Sequence, residues 1–186
     1  MLELLSGLDE SLFHAINGAW PRGDTMMWWA SKPLAWAPLY VLLIIAVLKK
    51  YKSRASRLLI LAGVGITVGL CDLVSARVLK PTAERLRPSH RVEFVNSIHL
   101  YERADGTVYK GGKYCFVSSH AANHMGVAIF LGAVLSGWLW WLVLWAGVIG
   151  YSRIHLGVHF PGDVICGWMV GAGLGAVVFN VIRRRL

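Results

Sequence analysis

The stretch FVSSHAANHMG, residues 116–126, decides how this chain is read. A polar segment rich in Tyr, Gly and Lys precedes it, and an apolar run able to enter a bilayer follows. Two serines, two histidines and an asparagine therefore stand at the mouth of a membrane helix. Polar groups are costly there unless they pair or serve a site. The stretch marks a helical membrane protein with a polar site at one face.

Composition agrees. The 186 residues are 56% hydrophobic and 16% charged, whereas an ordinary soluble domain carries roughly 25% charged residues. Nine tryptophans and twenty glycines suit interfacial belts and close helix packing. The length suits one domain, residues 1–186. No cleavable leader is expected, because the first residues lack a basic segment and include Glu3, Asp9 and Glu10. The net charge of +9 flanks apolar spans, which favours contact with anionic lipid over nucleic acid. The three cysteines, Cys71, Cys115 and Cys166, have no metal-type spacing.

A spanning helix needs about 20 mainly apolar residues. Five segments qualify: Met26–Leu48, Leu58–Leu79, Ala121–Ser136, Leu139–Tyr151 and Val164–Ile182, with Gly137 as the turn between the third and fourth. The first twenty residues repeat Leu4, Leu5, Leu8, Leu12, Phe13 and Ile16 at helical spacing, with acids opposite. They read as an interfacial amphipathic helix, or alternatively as a sixth span. The expected fold is thus all-α, a polytopic bundle of five to six membrane helices. Asp72, inside the second span, should face the bundle with a polar partner, Arg77 or a group on the last helix.

Lys49, Lys50, Lys52, Arg54 and Arg57 share one side with Arg183, Arg184 and Arg185. That side is expected to be cytoplasmic. The opposite side receives the loop 81–117, which is also basic and needs a reason other than topology.

Three polar clusters fall on that outer side. In KPTAERLRP, residues 80–88, Pro81 can start a helical turn, and Lys80 and Arg87 would then project from similar faces. A fork and a point charge together suit a phosphate. In the opening stretch, Ser118 can cap the following helix and favour an anion there, and His120 can donate a proton. Asn123 and His124 read as pocket lining. In SRIHLGVHFPGDV, residues 152–164, Pro161 starts the last helix and Asp163 can accept one N–H of His159, freeing the other ring nitrogen as a nucleophile. His155 and His159 hint at a metal pair, but no acid or cysteine completes a set.

These clusters resemble the motifs of the type 2 phosphatidic acid phosphatase (PAP2) family. Lys80, six residues, then Arg87-Pro88 matches its first motif, and Ser152-Arg153, five residues, His159, three residues, Asp163 matches its third. In the second, Ser118 and His120 match, while Val117 and Ser119 replace proline and glycine. The resemblance implies a metal-independent, cofactor-free lipid phosphatase. It implies His159 as nucleophile, Asp163 as its orienting partner and His120 as general acid. It implies Lys80, Arg87, Ser118 and Arg153 as phosphate ligands, with Ser119 still small enough for close backbone approach. The partners implied are a lipid phosphate or diphosphate and membrane lipids, with no nucleic acid. The site would face the periplasm or exterior of a bacterial cytoplasmic membrane. Undecaprenyl diphosphate or phosphatidylglycerol phosphate and phosphatidic acid are the favoured substrates. A lipid A-type phosphatase, a lipid-to-lipid phosphotransferase and a lipid or anion transporter are the alternatives.

Overall fold

The computed structural model describes residues 2–186. It is a bundle of eight α-helices: α1 Leu2–Ile16, α2 Asp24–Ala30, α3 Ala37–Lys50, α4 Arg54–Asp72, α5 Lys80–Ala83, α6 Ser119–Leu135, α7 Leu139–His155 and α8 Pro161–Ile182. No strand forms among the described residues, only isolated bridges such as Leu86–Tyr114. Among the described residues three stretches are long and apolar enough to cross a membrane: Pro33–Lys50, Arg54–Ala83 and Pro161–Arg185. The helices α6 and α7 have 17 residues each, the lower end of spanning length.

The first span departs from the sequence expectation. Met26–Leu48 is not one helix, because Lys32 precedes a proline and adopts extended backbone (φ −97°, ψ 129°), as that position favours. A short 3₁₀ turn, Pro33–Trp36, then leads into α3. The second span is longer than expected. A π-helical segment, Leu73–Leu79, joins α4 to α5 without a break. It ends at Glu84, whose φ of +44° stops the helix.

The central helix, α6, packs on α4, α7 and α8. Its contact with α8 depends on missing side chains. A Cβ on Gly171 would lie 2.1 Å from the Ala122 carbonyl oxygen, and one on Gly175 would lie 2.3 Å from that of Gly126. Small residues let the backbones touch, the usual device of helices packed in lipid. The apolar core between α3, α4, α6 and α7 is centred on Leu43, Ile60, Phe130, Leu142 and Trp145.

The N-terminal helix docks in an unexpected sense. Leu4, Leu5, Leu8 and Leu12 are exposed, while Phe13 is buried against Phe94 and Phe160. The acids Asp9 and Glu10 turn inward to Arg85 and Arg91. The leucine stripe faces outward and the acidic face holds the protein.

Candidate active site

The residues singled out in the sequence converge at one end of the bundle, where α5 stops, α6 and α8 begin, and α7 ends. Ser118 is the N-cap of α6, its Oγ accepting from Ala121 N at 3.4 Å. Its own N–H donates to the Asp163 carbonyl at 3.0 Å, which ties the start of α6 to the start of α8. Ser119 faces the other way. Its Oγ accepts from Lys80 Nζ at 2.7 Å and from Ser75 Oγ at 2.9 Å. Lys80 Nζ also donates to the Val117 carbonyl at 2.9 Å. The π segment aims Ser75 and Lys80 together at α6, an arrangement common beside functional sites.

Lys80 and Arg87 do not share a helix face, because the helix ends at Ala83. Arg87 reaches the site from extended chain, where its N–H donates to the Lys113 carbonyl at 3.1 Å. Its guanidinium nonetheless arrives where the chemistry needs it. Arg87 Nη1 lies 2.9 Å from His159 Nε2 and donates to the Val158 carbonyl at 3.0 Å.

His159 sits in the loop between α7 and α8 and is buried. An arginine donates and cannot accept, so Nε2 presents a lone pair and the neutral ring carries its proton on Nδ1. Burial, first, and the charges of Arg87 and Arg153 lower its pKa to about 3, against the opposing pull of Asp163. Nδ1 lies 3.5 Å from Asp163 Oδ2, longer than a hydrogen bond, and makes no such bond among the described residues. Asp163 is held more firmly elsewhere. Oδ2 accepts from Phe160 N at 2.9 Å and Oδ1 from Arg85 Nη1 at 2.8 Å.

Arg153 is buried on the last turn of α7, and its Nη2 donates to the Tyr109 hydroxyl at 2.6 Å. Burial alone would raise the Tyr109 pKa. The charge and hydrogen bond of Arg153, with Arg87 and Lys32 beyond, bring it below its usual value. Among the described residues none of Lys80, Arg87 and Arg153 forms an ion pair with a carboxylate. The buried Nε atoms of Arg87 and Arg153 make no hydrogen bond there either. Uncompensated buried cations are expensive, so this end of the bundle is built to receive an anion.

His120 occupies the first turn of α6, its ring 6.3 Å from that of His124. His124 Nδ1 bonds the His120 carbonyl at 2.7 Å. Asn123 and His124 stand at the polar end of an apolar cavity of about 430 Å³ between α3, α4, α6 and α7. None of Lys80, Arg87, Arg153 and His159 lines that cavity, which meets the site's helix at His124, one turn beyond His120.

One expectation is corrected. Asp72 is exposed rather than turned into the bundle, and its partner is Asn123 Nδ2 on α6 at 3.0 Å, not Arg77 or a group on the last helix. His155 does not pair with His159. Its Nε2 bonds Asp24 Oδ1 at 2.8 Å, and Asp24 Oδ2 holds His99 at 2.6 Å. Among the described residues no set of three His, Cys, Asp or Glu is arranged to hold a metal ion. Sequence reasoning assigned no role to Arg85, Asp9, Tyr109 or Ser75. Arg85 lay within a quoted motif, but its two acidic partners are 76 and 78 residues away.

Comparison with known proteins follows the same lines. The model of the PAP2 superfamily matches residues 56–186. A lipid A 4'-phosphatase of Bacteroides thetaiotaomicron is 33% identical over 189 aligned residues, covering all of this chain and 81% of that protein. A lipid A 4'-phosphatase of Porphyromonas gingivalis is 31% identical, over 97% of this chain and 75% of its own. An undecaprenyl-diphosphatase of Sulfolobus acidocaldarius is 32% identical over 74% of this chain and 58% of its own. Among solved structures, Aquifex aeolicus LpxE superposes with a TM-score of 0.67 at 23% identity, over 93% of this chain and 95% of that one. A PAP2-type phosphatidylglycerolphosphate phosphatase of Bacillus subtilis gives 0.65 at 23% identity, over 94% and 86%. A buried histidine with Asp163 behind it and Arg87 before it, at the end of a membrane helix bundle with these relatives, agrees with the family match: the chain belongs to the PAP2 superfamily and is a membrane lipid phosphatase.

Proposed function

We propose that the chain removes a phosphate from a lipid A-type substrate, a phosphorylated, acylated sugar lipid, through a phosphohistidine intermediate. The observation that carries the chemistry is Arg87 Nη1 2.9 Å from His159 Nε2, with Arg153 near enough to lower that ring's pKa and Lys80 against Ser119 at the start of α6. Phosphoryl transfer needs positioning and charge neutralisation above all. His159 Nε2 attacks phosphorus in line, forming the N–P bond as the P–O bond to the lipid breaks. His120, protonated once the substrate's phosphate offsets the neighbouring cations, gives its proton to the departing oxygen. Water then attacks, His120 takes its proton, and the N–P bond breaks to release phosphate. Lys80, Arg87 and Arg153 hold the equatorial oxygens, with Ser118 and Ser119 framing the α6 end. Arg87 moves from the imidazole lone pair to the phosphate as substrate enters. No metal or cofactor takes part in these steps.

The substrate preference departs from the one first drawn from sequence, which favoured undecaprenyl diphosphate or phospholipid phosphates. Support comes from relatives of that name aligning along nearly the whole chain, including the N-terminal region that the superfamily match leaves out. The apolar cavity beside the site suits acyl chains that stay in the bilayer while the phosphate is held at its surface. The basic residues at the opposite end, Lys49 to Arg57 and Arg183 to Arg185, support a cytoplasmic-membrane protein whose site faces the periplasm or exterior.

The test is phosphate release in detergent, with EDTA present, from lipid A, undecaprenyl diphosphate and phosphatidylglycerol phosphate. Fastest release from lipid A, undiminished by EDTA, is expected. Faster turnover of either other lipid would overturn the substrate, and activity restored only by a divalent ion would overturn the mechanism.

A further inference from the structure

We infer that Asp9, on the N-terminal helix, is a positioning residue for the His159–Asp163 pair and acts on it through Arg85. The inference rests on reading His159 as the nucleophile. Arg85 spreads its fork between two acids: Nη2 to Asp9 Oδ2 at 2.7 Å and Nη1 to Asp163 Oδ1 at 2.8 Å. Asp163 is buried completely, and the Asp9 side chain is 14% exposed. Asp9 Oδ1 also accepts from Gly162 N at 2.7 Å, one residue before Asp163 in the first turn of α8. One carboxylate thus holds both the cation that grips Asp163 and the backbone that carries it. The guanidinium also lies over the Phe160 ring, 4.2 Å from its centroid.

The charges explain why a second acid is needed. Arg85 by itself would cancel Asp163, leaving His159 with cations only. With Asp9 included, two carboxylates and one guanidinium leave one negative charge behind the imidazole. That charge opposes Arg87 from the outer loop, Arg153 from α7 and Lys80 from α5, while His120 faces the ring from α6. It favours the cationic ring that forms when Nε2 bonds phosphorus, the role a buried aspartate plays behind a histidine. The anchoring is exact in register: Asp9 takes Arg85, Glu10 takes Arg91 at 2.5 Å, and Phe13 packs between Phe94 and Phe160. The first helix is therefore part of the site rather than an appendage to the bundle.

The test is the titration of His159 by ¹⁵N NMR in the full chain, histidine-labelled, in micelles with saturating inorganic phosphate. The signal is assigned by its loss in His159→Gln. Arg85→Gln removes a cation, so the midpoint should rise. Asp9→Asn removes an anion, so the midpoint should fall, by roughly half to one pH unit. Asp9→Glu, which keeps the charge, should restore most of it. If Asp9 only fastened the helix, Asp9→Asn would admit water and raise the midpoint, because burial is what chiefly lowers it. A midpoint that is raised or unmoved in Asp9→Asn overturns the inference, whether or not Arg85→Gln folds. Trapping phosphoenzyme with substrate is a separate measurement. A midpoint that falls in a protein forming no phosphohistidine keeps this coupling and sinks the functional reading instead.

Discussion

Arg87 Nη1 and His159 Nε2 lie 2.9 Å apart, so the guanidinium proposed to bind phosphate first marks the lone pair proposed to attack it. The cation thereby sets the tautomer before substrate arrives and the phosphate geometry afterwards. Arg87→Lys should keep the charge and lose the fork. The expected result is a fall in kcat of about 10²–10³-fold, the usual cost of removing a placed donor, measured by phosphate release from lipid A. A loss under tenfold would show that charge alone suffices.

The low pKa of His159, about 3, has consequences for pH. The ring is neutral above roughly pH 4 and ready to attack. The acid limb of kcat/KM should therefore not fall near 6.5, the ordinary imidazole value. Stability has the opposite tendency. Below about pH 6.5 an unfolded chain protonates this ring while the folded one does not, so folding stability falls as pH drops toward 3. Thermal unfolding in detergent should occur at lower temperature at pH 4.5 than at pH 7. An unchanged midpoint would argue against a neutral His159.

Tyr109 reaches Arg153 from the outer loop with a 2.6 Å hydrogen bond and stands against the Trp28 ring. Tyr109→Phe keeps the packing and removes only the hydroxyl. A charged hydrogen bond contributes about 1.5–3 kcal/mol, so a loss of roughly tenfold or more in kcat/KM is expected, with little change in unfolding temperature. Increased activity would instead identify the hydroxyl as a competitor for the phosphate position.

Asp72 pairs with Asn123 at the exposed edge of the α4–α6 seam. Asp72→Asn should change unfolding by less than about 1 kcal/mol and leave most of the turnover intact. Abolished activity in a well-folded variant would place this carboxylate in the reaction.

The helical fold and most of the site were legible because both leave local marks. Spans show as apolar runs, and Lys80, Ser118, Arg153, His159 and Asp163 stand at or near helix ends that capping residues and prolines announce. What stayed hidden was long-range. Asp9 and Asp163 share a cation supplied by Arg85, and nothing near Asp9 in sequence distinguishes it from Glu10. Periodicity grouped Phe13 with Leu4, Leu5, Leu8 and Leu12, but Phe13 docks beside the acids Asp9 and Glu10 while the leucines face outward. The expected common face of Lys80 and Arg87 failed because Glu84 ends the helix, and a non-glycine residue at positive φ gives no warning in sequence.

The π segment Leu73–Leu79 makes residue count, rather than residue type, a determinant of the site. Its wider turns accommodate an extra residue compared with α-helical winding. Deleting one residue from it, such as Ala76, would let the segment rewind as α-helix with the residues beyond kept in phase. Rewinding with no residue removed, or adding a residue that the bulge does not absorb, would instead swing everything beyond by about 100°, carrying Lys80 away from Ser119 and Val117. A membrane protein can thus lose its chemistry by a one-codon insertion that every hydropathy profile would score as silent.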